Sequence, residues 1–191
     1  LFDLSYPDSI ETYGGYVGLE AYYSLKKSMV GFYAAARHCR FGISSTMSLC
    51  EKLKELVFGS ECILHRNGLD NKSLVRTSQK DEEATINIFY GSGTQAHNSD
   101  FLEEAFPALK RILKKYPRVR LIVAGYLILP LDFLSEFKKQ LIQIPPLNNI
   151  QAYWAFLSRG DINLAVLNDN MMNGCKSEIK WLEAACLGIP S

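Results

Sequence analysis

The sequence predicts an α/β protein built on a doubly wound parallel sheet, and three observations lead there. Short, almost continuous apolar runs, TINIFYG, RLIVAG and DINLAVL, have the composition of strands covered on both faces. Between them lie stretches whose apolar residues recur at three- and four-residue intervals, the pattern of helices lying on a sheet. The two kinds of segment alternate from residue 85 to residue 167, and such alternation is the signature of parallel strands joined by crossover helices.

Taken in order, residues 1–17 are aromatic and acidic, contain Gly14 and Gly15, and are expected to form a loop. Residues 17–39 place Leu19, Tyr22, Tyr23, Met29, Phe32, Tyr33 and Ala36 at helical spacing and predict a long helix. RFGISS (40–45) predicts a short strand. Ser45 or Thr46 then caps a helix carrying Leu49, Leu53 and Leu56. ECILHRNGLD (61–70) predicts a second short strand running into an Asn67-Gly68 turn, with positive φ at the glycine. Residues 71–84 are polar, charged and aperiodic, and read as a linker.

Beyond the linker, TINIFYG (85–91) is a buried strand. SDFLEEAFPALKRILKKY (99–116) is an amphipathic helix capped by Ser99 or Asp100, with a stripe of Phe101, Ala105, Leu109 and Ile112 flanked by Leu102, Phe106 and Leu113. RLIVAG (120–125) is the next strand, followed by a helix over 131–141, a strand LIQIP, a helix over 150–158 and the strand DINLAVL (161–167). KSEIKWLEAACLGIPS closes the sequence as a helix: Ser177 stands at its N-cap, Ile179, Leu182 and Cys186 form its buried stripe, Gly188 takes the C′ position and Pro190 stops it.

Composition limits the function. The chain has 191 residues, 48% of them hydrophobic and 21% charged, and carries 21 Lys and Arg against 20 Asp and Glu. A balance this near neutral gives no electrostatic reason to expect a nucleic-acid partner. Cys39, Cys50, Cys62, Cys175 and Cys186 are odd in number and lack CxxC spacing, so neither a disulfide framework nor a zinc site is expected, and reduced thiols fit a cytoplasmic setting. No basic segment followed by an apolar one opens the chain. The longest apolar run, LIVAGYLILPLDFL, is interrupted by Pro130 and Asp132 and is shorter than the roughly 20 residues a bilayer requires. The basic residues of KRILKKYPRVR fall mostly on the polar face or end of a helix, where positive charge complements the dipole, and no interleaved aromatics suggest base stacking.

Two stretches carry candidate chemistry. GSGTQA (91–96) follows a buried strand and matches G-x-G-x-x-G/A. A dinucleotide site would also need an acidic residue ending the next strand, and LIVAGY supplies none. What remains is an open, hydroxyl-bearing loop, Gly91, Ser92, Gly93 and Thr94, at the carboxyl end of a strand, where open α/β sheets bind ligands. His97 in that loop either donates to a phosphate or hydroxyl or helps to cap the following helix. In the closing stretch, Lys176 and Ser177 stand before a helix N-terminus, whose unsatisfied N–H groups favour a diphosphate. Glu183 lies nearly two turns further on, where the ordinary account makes it an i, i+3 surface pair with Lys180. His38 and His65 read as core or edge histidines.

In this order, GSGTQAHNSDF after a strand, PALKRILKKYPRVRLIVAG, DINLAVL and N-x-x-KSEIKWLEAACLGIPS resemble the nucleotide-binding domain of retaining GT-B glycosyltransferases of the family-4 type. HRNGLD resembles the NG-(hydrophobic)-D segment those enzymes carry before the crossing between their two Rossmann-like domains. The resemblance is strong over residues 61–191 and weak over 1–60. It implies residues 1–78 as the end of an acceptor-side domain plus linker and 79–191 as a donor-binding domain, the whole a partial GT-B architecture lacking both ends and inactive by itself. It implies transfer of a sugar from a nucleoside-diphosphate sugar, with retention, to a saccharide or lipid-linked acceptor in surface polysaccharide or glycoconjugate synthesis. No cofactor or metal is expected, nor nucleic acid; the setting is cytoplasmic, with peripheral association at the inner membrane face open.

Carried over residue by residue, Ser92, Gly93 and Thr94 match the loop facing the donor phosphates, with His97 beside them. Lys176 and Ser177 match the helix start near the diphosphate, and Glu183 the ribose-binding second Glu of an E-x7-E motif. The first Glu of that motif falls at Cys175; Asn173 and Lys176 replace it, as in a variant branch with an N-x-x-KS pattern. The resemblance assigns no catalytic residue. A nucleotide-sugar epimerase on the same fold and a non-catalytic relative are the other readings.

Overall fold

The computed structural model describes residues 19–69, 85–93 and 98–191. The loop expected over residues 1–17, the linker over 71–84, and Thr94 and His97 lie outside them. The chain divides into two compact units, Leu1–Asn67 with Asp169–Glu178, and Gly68–Asn168 with Ile179–Ser191.

In the first unit, helix α1 (Leu19–Ala36) precedes strand β1 (Phe41–Ser44), helix α2 (Met47–Leu56) and strand β2 (Glu61–Leu64). β1 and β2 pair in parallel, from Phe41 opposite Glu61 to Ser44 opposite Leu64, with α2 as the crossover. Of the two candidate caps, Thr46 is the one used: its hydroxyl accepts from Leu49 N at 3.3 Å. The same hydroxyl donates to Cys175 O at 2.9 Å, tying segment 169–178 to this unit. Cys50, the buried residue of α2, lies 2.9 Å Sγ to Sγ from Cys62. Burial and the Cys50 contact push the Cys62 thiol up to about 11, so it stays protonated at neutral pH.

Gly68 differs from expectation. The glycines with positive φ among the described residues are Gly125 and Gly188, and residues 65–69 form no regular turn. The two side chains just before Gly68 fix this segment instead, since Asn67 and Arg66 reach residues 177 and 178. His38 and His65 are exposed rather than core residues.

The second unit holds a four-stranded parallel sheet of β3 (Ile86–Ser92), β4 (Val119–Gly125), β5 (Leu141–Ile144) and β6 (Ile162–Leu164), in the order β5-β4-β3-β6. That order, with the first strand inside and the fourth beside it, is the Rossmann-like doubly wound arrangement expected, and its topological switch point lies between β3 and β6. β3 and β4 pair along seven residues, Ile86 opposite Val119 through Ser92 opposite Gly125. β6 pairs with β3 only over Ile162–Leu164, shorter than its apolar run suggests.

Each sheet face has its own core. On one, Tyr90, Leu121 and Val123 pack with Phe101, Leu109, Leu113 and Phe133; on the other, Phe89, Ile122 and Ala124 pack with Leu157, Ala184, Leu187 and Ile189. Burying each such large apolar side chain contributes roughly 1.5–3 kcal/mol before conformational entropy is counted. The stripe expected on helix 99–116 is therefore correct, but the helix is not uniform. A turn at Asn98–Asp100 leads into a π-helical segment, Phe101–Ala105, and only then into α3 (Phe106–Lys115). Pro107 explains this: without an N–H it cannot bond to residue 103, and its ring crowds that turn, which widens so that Phe106 N–H bonds to Phe101 O. The expected caps Ser99 and Asp100 consequently lie inside the helical run, and Asp100 makes no side-chain cap bond.

Helix α4 (Leu131–Glu136) is shorter than the expected 131–141. Its chain must turn early because the Gln140 amide donates to Leu113 O, Tyr116 O and Val119 O at 3.1, 3.1 and 2.8 Å, closing the end of α3. Helix α5 (Ile150–Leu157) is capped by Asn149, whose Oδ1 accepts from Gln151 N and Ala152 N. Helix α6 (Ile179–Cys186) ends as expected at Gly188. Gly188 N–H bonds to Ala185 O and Ile189 N–H to Ala184 O, both at 2.9 Å, with Gly188 at φ 67°, a Schellman end that seats Ile189 in the core. Replacing Gly188 by Ala is expected to lower stability by about 1 kcal/mol, read as a lower midpoint in urea with unchanged slope.

Candidate functional site

β3 delivers Gly91, Ser92 and Gly93 to the carboxyl edge of the sheet, and β4 delivers Gly125 beside them. Two glycines there are obligatory. Gly125 sits at φ 116°, and a Cβ on it would lie 1.8 Å from Ser92 O. A Cβ on Gly91 would lie 2.6 Å from the Tyr153 hydroxyl, because the Tyr153 ring lies directly over that residue. Phe89 steadies the ring edge-on, with centroids 5.8 Å apart. Gly93 has open space where a side chain would go, so the chain there is free to approach a ligand closely.

Around this edge lies a cavity of about 550 Å³, lined by Gly91–Gly93, Ala124–Tyr126, Pro146–Asn148, α5 residues Ile150 and Tyr153, and α6 residues Ile179, Lys180 and Glu183. It has the size of a small-molecule site and lies outside the carboxyl ends of parallel strands, next to the switch point. α5 is set there by its Asn149 cap, and α6 by Ala184 and, just past its end, Leu187, both buried in the core.

The sequence left open whether Glu183 is half of a surface pair, and it is not. It is 8% exposed, and its Oε1 accepts a hydrogen bond from Trp154 Nε1 at 3.1 Å. Burial raises the pKa of its carboxyl above the usual value of 4.5, while the Trp154 N–H and the nearby Lys180 charge work in the opposite direction. Lys180 does not simply extend into solvent, since its Nζ stands 5.2 Å from the centroid of the Tyr90 ring. Burial, then Glu183, pushes the Tyr153 phenol far above its usual value; burial, then Asp100, does the same for Tyr90. Both phenols are neutral at physiological pH, and Tyr153 offers the cavity a hydrogen-bond donor. The Tyr90 hydroxyl is buried with no hydrogen-bond partner among the described residues.

Of the residues singled out in the sequence, Ser92, Gly93 and Glu183 line this one cavity. Asn173, Lys176 and Ser177 belong to the other unit. There Lys176 Nζ donates to Asn173 Oδ1, and the Ser177 hydroxyl accepts from Asn67 Nδ2 at 2.6 Å. Ser177 is thus engaged by Asn67, two residues before α6 begins, rather than standing next to the first helical residue. Glu178 pairs with Arg66 at 2.9 Å, and its own backbone N–H together with Arg66 holds its carboxyl below the usual range. Cys175 is buried in this segment as a free thiol.

Sequence reasoning missed Lys180, Tyr153, Trp154 and the loop Pro146–Asn148. The YW pair at the start of a helix that follows a strand was the available signal, as aromatic residues one turn into such a helix stand near the strand ends. Among the described residues no cluster of three or more His, Cys, Asp or Glu could hold a metal ion. No described helix is long and apolar enough to cross a membrane.

No protein-family model matches the chain, and no curated protein matches it. Among solved structures, a mutant O-GlcNAc transferase of Thermobaculum terrenum aligns with it at 15% identity and a TM-score of 0.47, over 78% of this chain and 29% of that one. The chain thus spans less than a third of the length of this distant structural neighbour.

Proposed function

We propose that this chain carries the donor-binding part of a glycosyltransferase that uses a nucleoside-diphosphate sugar. One observation supports the reading above the others: a buried carboxylate, Glu183, lines a cavity at the carboxyl edge of a Rossmann-like sheet together with a glycine loop and a lysine. A carboxylate with one oxygen engaged suits the paired hydroxyls of a ribose. Lys180, the Ser92 hydroxyl and the backbone at Gly93 suit the diphosphate, whose negative charge grows as it leaves the sugar and is stabilised by such groups. The resemblance of GSGTQAH and KSEIKWLE to family-4 motifs points the same way, and with it to retention and to a saccharide or lipid-linked acceptor.

Lys180 takes the cationic part here that the sequence reading gave to Lys176. Replacing Lys180 by Ala is expected to weaken binding of a nucleoside diphosphate about tenfold and to leave the corresponding nucleoside unaffected, since one charge-assisted contact to phosphate is lost. Calorimetric titration with UDP and uridine, and with GDP and guanosine, measures this. An equal loss for nucleoside and nucleotide would remove Lys180 from the phosphate role.

A further inference from the structure

Trp154 has no assigned part in any of the motifs, yet its indole makes the hydrogen bond that Glu183 receives. Helix α5, which carries Trp154, is set by the Asn149 cap and buries Leu157 in the core next to Phe89 and Ala184. Trp154 and Tyr153 pack against the same core. The indole N–H therefore reaches Glu183 from a rigid element. Glu183 Oε1 is engaged, and Oε2 has no hydrogen-bond partner among the described residues.

We propose that Trp154 is a positioning residue for nucleotide binding: its N–H holds one oxygen of Glu183 in place and keeps the other available, ionised, for ligand hydroxyls. The inference rests on the donor-site reading given above. A carboxylate swinging between rotamers would pay side-chain entropy on each binding event, and an anchored one does not. The N–H also favours the charged form of a group that burial disfavours. Among the described residues, the other groups acting on Glu183 are Lys180 on its own helix, which also favours ionisation, and the neutral Tyr153 phenol on α5.

The sign follows directly. Ligand hydroxyls donate to the ionised carboxylate, so affinity is lost as pH falls through the Glu183 pKa. Removing the Trp154 N–H raises that pKa, and affinity should then be lost at higher pH. The test is Trp154→Phe, titrated from acid to neutral pH with a nucleoside-diphosphate sugar, whose phosphates do not titrate in this range. The acid limb of the affinity profile is expected to move up by about one pH unit. Benzothienylalanine placed at 154 keeps the bicyclic shape without the donor and should give the same shift should the Phe variant fold poorly.

A uniform loss at every pH, with the limb unmoved, would mean that Trp154 only packs and would overturn the proposal. Glu183 can also be titrated directly, by NMR of its side-chain carboxyl without any ligand. A carboxyl pKa unchanged in the variant overturns the Trp154 inference even where nucleotides bind; a raised pKa in a protein that binds no nucleotide sugar leaves Trp154 as the anchor of Glu183 and removes the donor reading, and with it the role in nucleotide binding.

Discussion

Replacing Glu183 by Gln is expected to weaken nucleoside-diphosphate binding by about 10- to 100-fold while leaving the protein at least as stable at pH 7. The combination follows from the environment of this side chain. Burial holds its folded-state pKa above 4.5, so the folded protein keeps the proton more tightly than the unfolded chain. Stability therefore falls as pH rises from about 4.5 through the raised value, and stays lower beyond it. A neutral amide avoids that loss, and its oxygen can still accept from Trp154 Nε1. With that oxygen engaged, however, it turns an NH2 donor toward the ribose hydroxyls where the carboxylate presents an acceptor. Thermal melts at pH 7 and near pH 4.5 check the stability half: the Gln variant should melt at or above the wild type at pH 7, and the difference should shrink toward acid. A variant that melts well below the wild type at pH 7 would mean that the charge serves the fold instead.

Replacing Gly125 by Ala is expected to cost about 3 kcal/mol or more and to disorder the cavity with it. Both reasons lie at the same residue. A backbone at φ 116° is open to glycine and strained for alanine, and the new Cβ would overlap Ser92 O, 1.8 Å away. The clash is with backbone of the neighbouring strand, in the last paired position of β3 and β4, so no side-chain rotation relieves it. Separation of the strand ends would also break the 3.0 Å bond from Tyr126 N to Ser92 O, which shapes the cavity wall. Differential scanning calorimetry should show a fall of about 10 °C or a protein recovered only in inclusion bodies. A variant melting within a degree or two of wild type would refute the geometry assigned to this edge.

The parts of this fold that the sequence made legible are those where local pattern and burial coincide. β3 and β4 are central, and their runs IFY and LIVA are apolar because both faces are covered. Gly188 and the stripe of helix 99–116 were equally plain, as each depends on a chain geometry that few residues satisfy. Pro107 was ambiguous: proline suits a first turn, but here it stands inside a longer helical run and produces a π segment. The length of α4 depended on Gln140 reaching three carbonyls of another element, which no spacing reveals.

The candidate site shows the same division. Ser92 and Gly93 were found because a glycine loop after a buried strand has few other uses. Lys180 and Glu183 stand three residues apart, a spacing shared by countless exposed ion pairs, and only the arrival of Trp154 and Tyr153 from α5 distinguishes them. Segment 169–178 carries Asn173, Lys176 and Ser177, and its short helical turn has no period that tells which core it joins; Thr46, Arg66 and Asn67 decide that.

The most direct measurement is a calorimetric titration of the protein at neutral pH with UDP-, GDP- and TDP-linked sugars, repeated on Glu183→Gln and Lys180→Ala. Donor binding predicts saturable heat with at least one of them at millimolar concentration or below, displaced by the matching nucleoside diphosphate and lost or strongly weakened in both variants. No binding by any of the three, or binding that both substitutions leave unchanged, would contradict it.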